Sequence, residues 1–225
     1  MTAIDRRRSG ILLHPTSLPG PHGSGDFGPS AFHFIDWLAS AGQSLWQMLP
    51  LNPIGPGNSP YASVSAFAGS PLLVALEPLI DRGWLEVDAG EAAGFSDRRV
   101  EFDRVAGWRM ARLREAAHGF FARAEAADRD DFAAFCNAQA HWLDDYALFM
   151  AVDEAVRAAS GFMPWTKWQA GLARRTPRAL AEAHRRHADA VDFWRFVQWC
   201  FDAQWHAVRH HADERGVLLV GDLPI

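Results

Sequence analysis

The sequence predicts an α/β fold with parallel strands, and three observations carry that expectation. A strand–helix–strand pattern fills residues 11–51, a long Gly/Pro-rich segment leaves the second strand, and an apolar strand at 217–220 follows a helical stretch. Strands joined through a helix at this spacing pair in parallel.

Each element has local grounds. Ile11-Leu12-Leu13-His14 is a short apolar run with Pro15 directly after it, as in a buried parallel strand. A Gly/Pro-rich loop runs to Gly28. Pro29 then opens a helix with Ala31, Phe34, Ile35 and Leu38 on one face and Gly42 as its stop. Leu45 to Leu51 reads as the second strand, bounded by Pro50 and Pro53. Residues 52–71 form a loop too long to be an ordinary connection, placed where α/β folds bind their ligands. Leu76 to Leu85 reads as a short helix with Pro78 early and Gly83 at its end.

Residues 98–213 are helical in pattern and rich in Ala and Arg. Phe132, Phe135, Cys136, Leu143, Tyr146, Ala147 and Met150 mark one amphipathic helix. Val191, Trp194, Val197, Phe201, Trp205 and Val208 mark a longer one. Pro164, Gly171 and Pro177 punctuate the join. Gly216 caps the last helix, Val217 to Val220 form a buried strand, and Asp222 stands at its C-terminal end. A central parallel strand needs helices on its faces, and none follows before Ile225. The sequence is therefore expected to be the N-terminal part of a longer protein.

Composition excludes several classes. The 225 residues are 49% hydrophobic and 22% charged, enough apolar material for a substantial core. Lys and Arg number 22 against 27 Asp and Glu, a net charge of -5, so neither nucleic acid nor an anionic membrane is an expected partner. No apolar run approaches a membrane span. The basic start Arg6-Arg7-Arg8 leads into too short an apolar run for a signal peptide. Cys136 and Cys200 lie in helix-like stretches and do not suggest a disulfide scaffold. A soluble, cytoplasmic protein is expected. Of the ten Trp, Trp46, Trp142, Trp165, Trp168, Trp194 and Trp199 could line a glycan groove, and core packing is the expected role for most of them.

Several motifs are weighed and set aside. Gly23-Ser24-Gly25-Asp26-Phe27-Gly28 matches G-x-G-x-x-G, but three prolines separate it from the strand and no acidic residue ends the second strand. His206 and His210 share a helix face without an obvious third ligand. His184 and His187 sit among Arg185 and Arg186, so no metal site is expected. The carboxylate pairs Asp130-Asp131, Asp144-Asp145 and Asp153-Glu154 point to different sides of their helices and are mostly expected in solvent. No G-x-S-x-G elbow or activated cysteine is present.

Two features remain. Gly55-Pro56-Gly57-Asn58-Ser59-Pro60-Tyr61 sets an aromatic ring among small polar groups at the mouth of a βα unit. That suits a sugar, with its apolar faces and hydroxyl edge, and a surface turn with a packed Tyr is the other reading. Asp222 ends an apolar strand, a catalytic position in barrels and also an ordinary turn position.

Ser9-Gly-Ile-Leu-Leu-His-Pro-Thr-Ser-Leu-Pro-Gly-Pro-His-Gly, Leu45-Trp-Gln-Met-Leu-Pro-Leu, Asn58-Ser-Pro-Tyr and Ser65-Ala-Phe-Ala-Gly-Ser-Pro-Leu-Leu resemble the 4-α-glucanotransferases (amylomaltase, disproportionating enzyme). So do Trp142-Leu-Asp-Asp-Tyr-Ala-Leu-Phe and Val220-Gly-Asp-Leu-Pro-Ile. The resemblance implies the N-terminal part of a (β/α)8 TIM barrel of the α-amylase type with a helical subdomain inserted between strands 2 and 3. Residues 1–70 would hold strands 1–2 and the active-site loop, 71–175 the inserted subdomain, and 176–225 the return helix and strand 3. The implied activity transfers a segment of an α-1,4-glucan donor to the 4-hydroxyl of glucose or a maltodextrin. It proceeds with retention and without a cofactor. Tyr61 matches the Tyr that stacks on the sugar beside the cleaved bond, with Ser59 and Asn58 as further substrate-binding positions. Asp222 matches a supporting carboxylate. The nucleophile and acid/base are implied beyond Ile225, so the chain by itself is expected to be inactive; the alternatives are an α-amylase-type hydrolase, with water as acceptor, and a glycan-binding fragment without catalysis. Pro56 and Asn58 stand where many members have Tyr and Asp, which puts an accessory glucan site in question.

Overall fold

The computed structural model describes residues 7–86, 94–96 and 98–224. Arg6 of the basic start and Ile225 lie outside them. In chain order the elements are β1 (Gly10–Leu12), α1 (Pro29–Ser40), β2 (Leu45–Gln47), α2 (Glu77–Asp81), α3 (Phe102–Arg123) and α4 (Ala126–Ser160). Then follow α5 (Ala170–Ala173), α6 (Pro177–Arg186), α7 (Ala188–Glu214) and β3 (Leu218–Val220). The strands form a parallel sheet in the order β1-β2-β3, with Ile11 opposite Trp46 and Trp46 opposite Leu219. The parallel α/β expectation holds, but β1 and β3 are not the buried strands expected, since Leu12, Leu218 and Val220 are exposed.

The strands are shorter than their apolar runs. Past the ladder, Leu13 N–H still donates to Gln47 O and Met48 N–H to Val220 O, both at 2.9 Å. Pairing then stops, because Pro15 and Pro50 have no N–H to contribute. Pro15 instead begins a single 3₁₀ turn, Pro15–Ser17. The expected strand Leu45–Leu51 is therefore three residues followed by an extended lead into the loop.

Two glycines terminate helices in the same manner. Gly42 (φ 71°) follows α1 and Gly216 (φ 69°) follows α7. Each lets the next N–H reach back five residues, from Gln43 to Leu38 O at 2.8 Å and from Val217 to Ala212 O at 2.9 Å. The chain then enters a strand within two residues. The left-handed φ is open to glycine without Cβ strain.

The chain divides into two compact units, Met1–Ala124 with Cys200–Ile225, and Glu125–Trp199. The boundary falls inside α7. In the first unit, Phe27, Ile35, Leu38, Trp46, Met48, Leu73, Val208 and Val217 form the core around the sheet. Burying each large side chain contributes about 1.5–3 kcal/mol. Trp46 is fully buried, and its indole N–H donates to Leu13 O at 2.8 Å, so the ring packs without an orphaned donor. Trp205 stacks on Phe27 at 5.3 Å, and Phe201 meets the same ring tilted at 5.2 Å. Gln204 bonds both backbone groups of Ala75, tying the 71–76 segment to α7.

In the second unit, Leu143, Ala147 and Ala151 of α4 are buried, as are Trp194 and Val197 of α7. Tyr146 meets Trp194 edge-on at 6.0 Å. The helical 98–213 region resolves into five α-helices, α3 to α7. Gly161 (φ 72°) ends α4 and Pro177 opens α6. Trp46, Trp84, Trp194 and Trp199 are core residues, as expected, whereas Trp37 and Trp165 are about half exposed.

Candidate functional site

The site forms where β2 and β3 end. From β2 the chain runs through residues 52–70, whose fold is set by short local bonds. Asn52 Nδ2 donates to Ser65 O at 3.2 Å and Ala68 O at 3.0 Å, closing the loop across its base. Ser70 N–H donates to Leu51 O at 2.8 Å. At the tip, Gly55 N–H donates to Ser59 O and Asn58 N–H to Gly55 O, a tight turn in which Asn58 takes a left-handed φ of 57°. Asn is among the residues that tolerate that conformation. Ser59 Oγ accepts from Tyr61 N–H at 3.3 Å.

Tyr61 is thereby presented beside the residue that follows β3. Its phenol donates to Asp222 Oδ2 at 2.7 Å, across 161 positions of sequence. Asp222 Oδ1 accepts from Leu223 N–H at 2.8 Å, so both carboxylate oxygens are held. The hydrogen bond to Asp222 raises the Tyr61 phenol above its ordinary range, with desolvation adding to it. Tyr61 remains exposed, so its ring is fixed in direction and its face is open. The structure brings Tyr61, Ser59 and Asp222 together and sets Asn58 one turn away.

Beneath the loop lies a cavity of about 210 Å³ lined in part by His14, Thr16, Asn58, Pro60 and Ser70. His14 Nδ1 accepts from Thr16 N–H at 3.3 Å, so the ring proton is on Nε2, which faces Pro50 O at 3.4 Å. Burial lowers the His14 pKa below its usual value, partly offset by that carbonyl.

The motifs set aside resolve differently. Within the G-x-G-x-x-G segment, Asp26 Oδ1 accepts from Gly28 N–H at the start of α1, and Oδ2 is held by Arg109. Asp26 thus supplies an anion at that helix start from within the chain. His206 pairs with Asp202 and His210 with Glu214 along α7. Most members of the carboxylate pairs are solvent-accessible as expected, with Asp130, Asp131 and Asp145 exposed, and only Asp153 is buried, yet several have partners. Asp131 accepts from the Trp199 indole, Asp144 pairs with Arg195, Asp145 with Arg175, and Asp153 with Arg157. Helical spacing shows which side of a helix a carboxylate takes but not which distant Arg or Trp meets it.

One cluster was not legible in the sequence. Donor atoms of His22, Asp26 and Glu77 lie within 4.8 Å of one another. His22 stacks on Trp108 at 5.4 Å, and its Nδ1 is 3.8 Å from Glu77 Oε1. Arg109 supplies a positive charge at this cluster. No contiguous pattern joins residues 22, 26, 77 and 109.

The parallel α/β scaffold thus presents an aromatic face beside a carboxylate at its strand ends. The chain belongs to the 4-alpha-glucanotransferase family, glycoside hydrolase family 77, whose model matches residues 13–225. It is 45% identical over 219 residues to a 4-alpha-glucanotransferase of Thermus thermophilus, covering 97% of this chain and 42% of that protein. It is 44% identical over 223 residues to one from Synechocystis sp., covering 99% and 43%. Among solved structures, the amylomaltase from Streptococcus agalactiae in complex with acarbose superposes with a TM-score of 0.85 at 29% identity. That match covers 97% of this chain and 43% of the other. The chain thus spans under half the length of these relatives, and its fold is the amylomaltase-like α/β fold. No described helix is long and apolar enough to cross a membrane.

Proposed function

We propose that the protein carrying this chain is a 4-α-glucanotransferase that moves a segment of an α-1,4-glucan to the 4-hydroxyl of glucose or a maltodextrin. The observation that carries the reading is the Tyr61–Asp222 hydrogen bond at the strand ends, in a chain of this family. Tyr61 supplies the stacking face for the donor sugar, Ser59 and Asn58 shape the turn that presents it, and Asp222 fixes the ring. Retention requires a carboxylate nucleophile and a carboxylic acid/base about 5–5.5 Å apart, and Asp222 supports such a pair without belonging to it. A transferase must also shield the glycosyl-enzyme from water until an acceptor arrives, and an aromatic plate over the sugar serves that purpose. The reaction runs on carboxylates and needs no cofactor. We assign residues 1–70 to strands 1 and 2 and the site loop of a (β/α)8 barrel, 71–175 to a helical insertion, and 176–225 to a return helix and strand 3. The working compartment is taken as the cytoplasm.

The test is incubation of the protein encoded by the whole gene with maltotriose. Glucose together with maltodextrins longer than the substrate is the expected outcome. Glucose and maltose alone would mean water is the acceptor and would end the transferase reading.

A further inference from the structure

The second compact unit contains a pocket of about 270 Å³ between α4 and the Trp165–Leu180 segment. Its floor is an aromatic stack, Phe149 against Trp168, with ring centroids 5.2 Å apart and planes at 27°. The Trp168 indole N–H donates to Met163 O at 3.0 Å, which fixes the ring's orientation. Trp165, 54% exposed, stands at the edge of the same pocket.

The rim is polar and built. Arg175 Nη2 donates to both oxygens of Asp145, at 2.6 and 2.7 Å. Arg175 occupies the left-handed position just after α5, with φ 54°, where glycine is the usual choice. Its N–H donates to Leu172 O and the following N–H, of Thr176, to Gly171 O, so the turn itself is locked. The backbone turn requires no arginine there. What the arginine adds is a guanidinium at the mouth of an aromatic pocket.

We propose that this pocket is a second glucan-binding site, taking one or two glucose rings of an α-1,4-glucan and sharing no residue with the Tyr61 site. The proposal rests on the α-glucan reading above for the identity of the sugar. A glucose ring has an apolar C–H face, which the Phe149–Trp168 floor and Trp165 match, and adjacent 2- and 3-hydroxyls on its edge. A carboxylate–guanidinium pair meets two adjacent hydroxyls with an acceptor and a donor at once. Asp145 has lone pairs beyond the two in use, and Arg175 has nitrogens other than Nη2. A purely apolar ligand would leave that rim without a role.

The experiment is a titration of the ¹⁵N-labelled chain with maltoheptaose, followed through the Trp indole N–H signals. The Trp165 and Trp168 signals should shift and saturate. Trp165→Ala and the isosteric Asp145→Asn should each weaken that binding about tenfold or more, while Tyr61→Ala leaves it unchanged. Circular dichroism of Asp145→Asn checks that the fold is kept. No shift at Trp165 and Trp168, or shifts that persist in both variants, overturns the proposal. So do saturable shifts with cyclohexanol and none with maltoheptaose. If maltotriose transfer fails while these shifts are seen, the pocket stands and the transferase reading falls; transfer without the shifts gives the reverse.

Discussion

Arg109, with none of its side chain exposed, donates from Nη2 to Asp26 Oδ2 at 2.7 Å and to Val74 O at 2.6 Å. One guanidinium thus joins α3 to the loop before α1 and to the segment before α2. Asp26→Ala removes its counter-charge and leaves a buried cation unpaired, which costs about 3–5 kcal/mol. Replacing both partners, as Asp26→Ala with Arg109→Leu, should cost less than Asp26→Ala alone. Urea unfolding of the two variants measures this, and a double variant less stable than the single would contradict the pairing as the cause.

Tyr61 acts through its ring and through its hydroxyl, and two substitutions separate them. Tyr61→Phe keeps the stacking face and removes the bond to Asp222, so kcat/KM for maltotriose should fall about tenfold. Tyr61→Ala removes both and should fall further. The thermal midpoint should hardly change in either, because the side chain is exposed. Equal losses in the two variants would mean that the ring face does not contact sugar.

Histidine burial predicts a pH dependence of stability. His14 and His22 both have lowered pKa values, with desolvation the largest cause in each. Around His22, Glu77 and Asp26 oppose that shift and Arg109 reinforces it. A lowered histidine takes up its proton more readily when unfolded, so stability is fully present above the unfolded value of 6.5 and falls as pH drops below it. The urea midpoint should therefore be lower at about pH 5.5 than at about pH 7.5, and His22→Gln should flatten the difference. A midpoint that rises on acidification would contradict this sign.

The cysteines should be slow to react. Burial pushes the Cys136 thiol up to about 11 and that of Cys200 higher still. Since the thiolate is the reactive form, alkylation at about pH 8 should label Cys136 slowly and Cys200 only on unfolding. Rapid labelling of Cys200 in the native protein would show that α7 opens there.

Much of the fold was legible where one residue type dictates local geometry. Pro29 and Gly42 bracket α1 as expected, because a helix start accepts proline and its end accepts a left-handed glycine. The end of β2 was misjudged, since hydrophobicity continues through Leu51 while the hydrogen-bond ladder cannot pass Pro50. Tyr61 and Asp222 were each visible as candidates and the family resemblance gave each a role in the site, but the bond joining them across 161 positions is seen only in the structure. Arg109 with Asp26, and Arg175 with Asp145, were invisible for the same reason: an ion pair between distant elements has no period to read.

The matching glycine turns after α1 and α7 also act as a counting device. Between Gly42 and β2, and between Gly216 and β3, the number of residues decides which way every later side chain faces. One residue inserted after Gly42 would rotate Trp46 out of the core and carry Met48 and the loop bearing Tyr61 half a pleat out of phase with β3. The alignment of an exposed phenol with Asp222 is therefore set at the far end of each strand, by two turns that touch neither group.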